Sequence, residues 1–183
     1  LSPNNLLKPS DGGPVAVPSQ DMILGVYYIT QQRDGEPGEG MCFSSMNEAI
    51  LAYENDYITL HSRIKVRMSK KDADGNVISG TVETSLGRLL FNEALPQDLG
   101  FVDRSKPENL LLPEVDFLVK KKDLKKILQK VIDKHGTFKC AEVLDLIKAM
   151  GYKWSTIACM TISIADILVP KEKKELLEEA QKT

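Results

Sequence analysis

The residues with the most chemical potential fall into a few small groups. Asp72-x-Asp74-x-Asn76, with Glu83 eleven positions after Asp72, partly matches a calcium loop. Such a loop needs glycine at its sixth position and a helix on either side, whereas Val77 stands there between two strand-like stretches, so the reading is a hairpin turn. His61 and His135 lie far apart, and neither has a cysteine or second histidine at ligand spacing, so no zinc site is readable. No serine or threonine sits in a nucleophile-elbow context, and no glycine-rich phosphate loop is present. Lys120, Lys121 and Lys122, followed by Lys125, Lys126 and Lys130, read as the solvated face of an amphipathic helix. Arg63, Lys65 and Arg67 alternate along a strand and give it a basic face that suits phosphate groups or another protein surface, although a solvated strand face is the plainer reading. Trp154 reads as a packing anchor.

One further pair stands out by its setting. In Pro18-Ser19-Gln20-Asp21-Met22-Ile23-Leu24-Gly25 the proline forces a change of course and Ser19 offers an N-cap. Gln20 and Asp21 then fall in the first turn of a helix, where a carboxylate favours the positive end. Behind them Met22, Ile23, Val26, Tyr27 and Ile29 form a wide apolar stripe that belongs to a core. Gly25 weakens a helix unless something must approach its backbone closely. The stretch therefore presents an amide and a carboxylate at the exposed start of a buried, rigid element. An ordinary capped core helix fits the same pattern.

The surrounding elements are those of an α+β protein, mostly helical with a small antiparallel β-hairpin. Residues 1–17 are rich in proline and glycine and read as an extended entry, and residues 31–40 as a turn-rich connection. Ser44 or Ser45 caps a helix over 46–55. Residues 58–70 read as a strand, with Ile64, Val66 and Met68 facing inward, and 77–84 as its partner. Ser85 caps a short helix over 86–92 that Pro96 stops, and 97–113 is irregular. Leu124, Ile127, Leu128, Val131 and Ile132 make a helical stripe ended by Gly136. Thr137 caps the next helix, which carries Val143, Leu144, Ile147 and Met150 and ends at Gly151. A short helix follows over 155–160, and Pro170 opens a last one. That last helix has a narrow stripe of Leu176, Leu177 and Ala180, suited to one arm of a two-helix coil.

The chain has 183 residues, 42% hydrophobic and 27% charged, with a net charge of −2. It is long enough to bury a core, and its balance supplies no global pull toward nucleic acid or membrane. No apolar run approaches the ~20 residues of a membrane span, and no secretory signal opens the chain. Three scattered cysteines, Cys42, Cys140 and Cys159, read as buried thiols in a reduced, cytoplasmic protein. A chain opening on Leu1 rather than Met reads as a piece of a longer product.

Four stretches in one order carry a resemblance. They are residues 17–25, Leu60-His61-Ser62-Arg63-Ile64-Lys65-Val66-Arg67, residues 84–96 (Thr-Ser-Leu-Gly-Arg-Leu-Leu-Phe-Asn-Glu-Ala-Leu-Pro), and Asp166-Ile167-Leu168-Val169-Pro170. Together they resemble the middle of the largest catalytic subunit of bacterial DNA-directed RNA polymerase, the beta-prime subunit. The resemblance covers essentially the whole chain. It implies the pore or funnel region, which lines the secondary channel where nucleotides enter and backtracked RNA leaves. On that basis 1–96 is a channel-wall segment, 97–170 a helical funnel segment, and 171–183 the start of a rim coiled coil. Gln20 and Asp21 are then the residues nearest the active centre. The implied partners are the other polymerase subunits, nucleoside triphosphates, the RNA 3′ end, and transcript-cleavage or channel-binding factors, with no membrane.

The family's Asn-Ala-Asp-Phe-Asp-Gly-Asp magnesium loop is not in this sequence, nor are its bridge helix and trigger loop. Two-metal phosphoryl transfer needs that aspartate cluster. The chain alone is therefore expected to be inactive and without a cofactor, magnesium and zinc belonging elsewhere in the full subunit. Where the family usually has Ala-Thr-x-Ser-Gly, this chain has Ser155-Thr156-Ile157-Ala158-Cys159, so no contact is carried onto Ala158 or Cys159. A free-standing helical interaction module with no polymerase role is the alternative reading.

Overall fold

In a computed structural model, residues 5–10, 12–71, 77–106, 109–170 and 172–182 are described. Among the described residues the α-helical segments run in the order α1 (Asp21–Thr30), α2 (Met46–Glu54), α3 (Leu86–Glu93), α4 (Lys121–Ala158) and α5 (Lys173–Lys182). Three strands, β1 (Cys42–Phe43), β2 (Arg63–Lys71) and β3 (Val77–Ser85), form one sheet in the order β1-β2-β3. The α+β expectation holds, with one addition. β2 and β3 pair antiparallel from Arg63↔Ser85 to Lys71↔Val77, and β1 adds a short parallel edge. The turn at Asp72, Asp74 and Asn76, read from sequence as a hairpin, lies outside the described residues.

α1 is the element about which the others are arranged. Val26 and Ile29 are fully buried, and the helix packs against both α3 and α4. The contacts are made backbone to backbone through glycines. A β-carbon on Gly25 would run into the carbonyl oxygen of Gly151 and lie 2.9 Å from Ser155 N; one on Gly151 would sit 2.7 Å from Met22 Cα. One on Gly87, in α3, would collide with the carbonyl of Ile29. The close approach that Gly25 suggested is therefore real, and it comes from α4. Helix backbones this near bury their faces more completely than side-chain ridges allow, which offsets the propensity lost at each glycine.

Several boundaries differ from the sequence reading. α1 is not capped by Ser19; its N-cap position is Gln20, and no side chain accepts a bond there. β2 begins at Arg63 rather than Ile58, because Ser62 Oγ and Thr59 engage each other and Pro37, holding 58–62 off the ladder. Gly151 does not end a helix. Its lack of a side chain serves the contact with Met22, and α4 runs on through 155–158 to a left-handed cap at Cys159 (φ 47°). Gly136, by contrast, does end a helix as expected: its φ of 79° and ψ of −179° are not helical, and α4 is two helices that meet there. The last helix starts at Lys173, three residues after Pro170. Of the cysteines only Cys140 is buried; Cys42 and Cys159 are exposed.

Other expectations hold. Ser45 accepts from Glu48 N at 3.3 Å, and the Glu48 carboxylate returns to Ser44 N at 2.6 Å, a reciprocal cap. Ser85 caps α3 through Arg88 N. Ile64 and Val66 are buried while Arg63, Lys65 and Arg67 are exposed, as strand alternation requires. Trp154 is buried with its ring 6.4 Å from that of Tyr53. Lys120, Lys121, Lys122, Lys125 and Lys126 are exposed, whereas Lys130 lies over the Phe101 ring and donates to Gly100 O.

Candidate functional site

The start of α1 combines exposure with a fixed backbone. Gln20 has φ 48° and ψ −123°, a conformation that side-chain-bearing residues adopt only at a cost. Gln20 O accepts from both Ile23 N and Leu24 N, and Ser19 O accepts from Met22 N, so the first-turn amides are taken by backbone. The turn is thus closed by main chain, leaving the exposed Gln20 and Asp21 side chains out of the capping scheme. One turn further on, Gly25 is pinned against Gly151. An amide and a carboxylate are consequently presented from a seat that cannot easily move, which suits hydrogen bonding to a ligand that arrives from outside.

The second group, on the outer face of β2, is electrostatically different. Arg63 reaches Asp34 at 2.9 Å and Glu83 at 3.9 Å. Lys65 stands opposite Glu83 in the ladder, and Arg67 donates to Ser79 Oγ at 3.5 Å. Two carboxylates thus offset three cations. These exposed pairs contribute little stability, about 0–1 kcal/mol each. The two groups are not brought together. Gln20 opens α1, whereas β2 begins near its far end, where His61 Nδ1 meets Gln31 O at 3.0 Å. A ten-residue helix, roughly 15 Å long, lies between them.

Among the described residues no group of three or more histidine, cysteine, aspartate or glutamate side chains could hold a metal ion. No described helix is long and apolar enough to cross a membrane.

A family model described as RNA polymerase Rpb1, domain 3, matches residues 5–167. The chain belongs to that family. It is also similar along its whole length to named bacterial proteins. The DNA-directed RNA polymerase subunit beta′ of Lachnoclostridium phytofermentans is 61% identical over 182 residues, covering 100% of this chain and 14% of that protein. Those of Acetivibrio thermocellus and Caldicellulosiruptor saccharolyticus are 57% and 53% identical over 181 residues, 99% of this chain and 16% of each relative. The chain therefore spans about one-seventh of the length of these curated relatives.

Within this Rpb1 domain, the structure shows a set of positioning residues that sequence reasoning passed over. Arg88 in α3 donates through Nε to Thr30 O and through Nη1 to both Asp116 O and its carboxylate. Thr84 donates to the same carboxylate at 2.9 Å. Thr30 Oγ1 donates to Val26 O and accepts from Val119 N. Asn92 is buried, donating to Val115 O at 2.7 Å and accepting from Val115 N at 3.0 Å. Gln97 links Asn92 O to Glu114 N, and the buried Glu114 carboxylate takes Phe101 N and Arg104. These side chains satisfy backbone groups in 97–106 and 109–120 and fasten those stretches to α1 and α3. A signal was present in Arg88 and Asn92, polar residues at i and i+4 in a short helix whose other positions, Glu93 apart, are apolar or glycine, but their partners carry no periodic pattern.

Proposed function

We propose that this chain forms part of the wall of the secondary channel of a bacterial DNA-directed RNA polymerase, the cytoplasmic transcription enzyme, where nucleotides enter and backtracked RNA leaves. Gln20 and Asp21 are the side chains it directs toward the RNA 3′ end and incoming nucleotides. The observation that carries this reading is the strained, positive-φ backbone of Gln20 at the exposed start of a helix that is otherwise locked by glycine contacts. Strain of this kind persists where the surroundings over-determine it, and it concentrates at functional positions. Family membership supplies the setting.

The basic face of β2 is better suited to a neighbouring polymerase subunit than to phosphate, because Asp34 and Glu83 already offset its charge. Transcript-cleavage or channel-binding factors would meet the assembled channel rather than this chain alone. The 183 residues hold no Asn-Ala-Asp-Phe-Asp-Gly-Asp, so alone they incorporate no nucleotide and bind no magnesium at micromolar concentration. Calorimetry finding such a site would overturn that statement.

Photocrosslinking tests the placement. In a complete polymerase stalled in a backtracked state, a photoreactive nucleotide at the RNA 3′ end is expected to crosslink within residues 19–22. Crosslinks confined to other parts of the polymerase would refute it.

A further inference from the structure

His61 is buried, with only 4% of its surface exposed, and sits where several elements meet. Its Nδ1 lies 3.0 Å from Gln31 O, the carbonyl that leaves the C-terminal end of α1. A carbonyl only accepts, so Nδ1 carries a hydrogen and, in the neutral ring, Nε2 is a bare lone pair. Nε2 is shielded from solvent and has no hydrogen-bond partner among the described residues. The backbone around the ring completes a joint. His61 O accepts from Arg33 N, Leu60 O accepts from Gly87 N at the start of α3, and Ser62 Oγ donates to Pro37 O.

We propose that this joint is a proton-sensitive latch: with His61 neutral, α1 is tied to β2 and α3, and a proton on Nε2 opens the tie. The added N–H would need an acceptor that the site does not provide, and a buried cation without one is costly. The groups facing the ring do not compensate. Tyr28 from α1 meets it edge-on at 4.6 Å between ring centres and is neutral. From the turn after α1, Arg33 opposes a second positive charge while Glu36 favours one, and those two already lie 3.9 Å apart. On β2, Arg63 is engaged with Asp34 and Glu83, and on α3 Arg88 is turned to Thr30 and Asp116. Burial, the largest influence, holds the imidazole below its ordinary value; the bond to Gln31 O and the Glu36 carboxylate pull the other way, and Arg33 acts with burial.

The sign follows from linkage. The closed joint binds a proton less readily than the open one, so the opening equilibrium grows as pH falls below about 6.5, by up to tenfold per pH unit. It levels off once the pH passes below the closed-state value. The latch acts at the far end of α1 from Gln20, so acid would free that end of the helix while the Gly25–Gly151 contact still holds the other.

The chain has two histidines, which makes the test direct. Proton NMR of the imidazole signals should show His61 staying neutral to a pH distinctly below the ordinary imidazole value. Amide exchange, corrected for intrinsic pH dependence, should show protection at Arg33 and Gly87 falling by up to tenfold per unit below pH 6.5. His61→Asn, which can keep a donor near Nδ1 but cannot titrate, should flatten that dependence. Titration of His61 at the ordinary value, flat protection in the unsubstituted chain, or an unchanged slope in H61N would each overturn the proposal. If H61N does not fold, the first two measurements decide.

Discussion

Gly25→Ala sets two physical effects of opposite sign against each other. Alanine in a helix interior gains roughly 0.5–1 kcal/mol over glycine in backbone terms. At this position its β-carbon would meet the Gly151 carbonyl, lying 2.8 Å from the carbonyl carbon and 2.9 Å from Ser155 N. Those atoms belong to a helix backbone and cannot rotate away, so α1 and α4 must separate. A separation of ~1 Å over roughly 100 Å² of contact opens ~100 Å³, which at ~24 cal/mol per Å³ costs about 2.4 kcal/mol. The net expectation is a loss of about 1.5–2 kcal/mol. Gly151→Ala presses on Met22 from the other side and should cost a similar amount. Once one β-carbon has parted the helices, the second has less left to disrupt, so the double substitution should cost less than the sum. Urea unfolding followed by the fluorescence of the single, buried Trp154 measures all three. A G25A chain more stable than the unsubstituted one would refute the backbone contact, and strict additivity would refute its being shared.

Two other outcomes follow from the same packing. Asn92→Ala strands the buried N–H and C=O of Val115, which at ~1–3 kcal/mol for each of the two unsatisfied groups gives a loss of about 2–6 kcal/mol by urea unfolding; a loss under 1 kcal/mol would show that the irregular chain around Val115 is held some other way. Burial raises the Cys140 thiol above its ordinary value, so alkylation of the native chain at mildly alkaline pH should label Cys42 and Cys159 and spare Cys140, as mass spectrometry would show.

Much of the fold is legible in the sequence where one element carries its own signal. The stripe behind Gln20, the alternation of Ile64, Val66 and Met68, and the serine caps of α2 and α3 are all local. Gly25 also announced a close approach, though nothing in the sequence said from which side. The misreadings share a physical cause. Gly151 and Gly136 look alike as helix punctuation, yet only Gly136 adopts a positive φ; Gly151 stays helical because Met22 needs its missing side chain. Ile58 and Leu60 are buried like strand residues, but Thr59 and Ser62 satisfy the local backbone in place of a ladder. β1 is two residues long and parallel to β2, so its existence depends wholly on tertiary pairing. Of the candidate residues, Gln20 and Asp21 stand exposed as expected, although the cap falls one residue later than Ser19. The Arg88 and Asn92 network was hidden because its partners lie more than twenty residues away in irregular chain.

The most direct test of the channel-wall account is Gln20→Ala in the complete polymerase. The side chain is exposed and makes no capping bond, so folding and assembly should be preserved, with a stability change within about 0.5 kcal/mol. The account predicts slower nucleotide addition or altered backtracking on a defined template. Elongation and backtracking at the unsubstituted rates would contradict it and leave Gln20 as no more than the turn into α1.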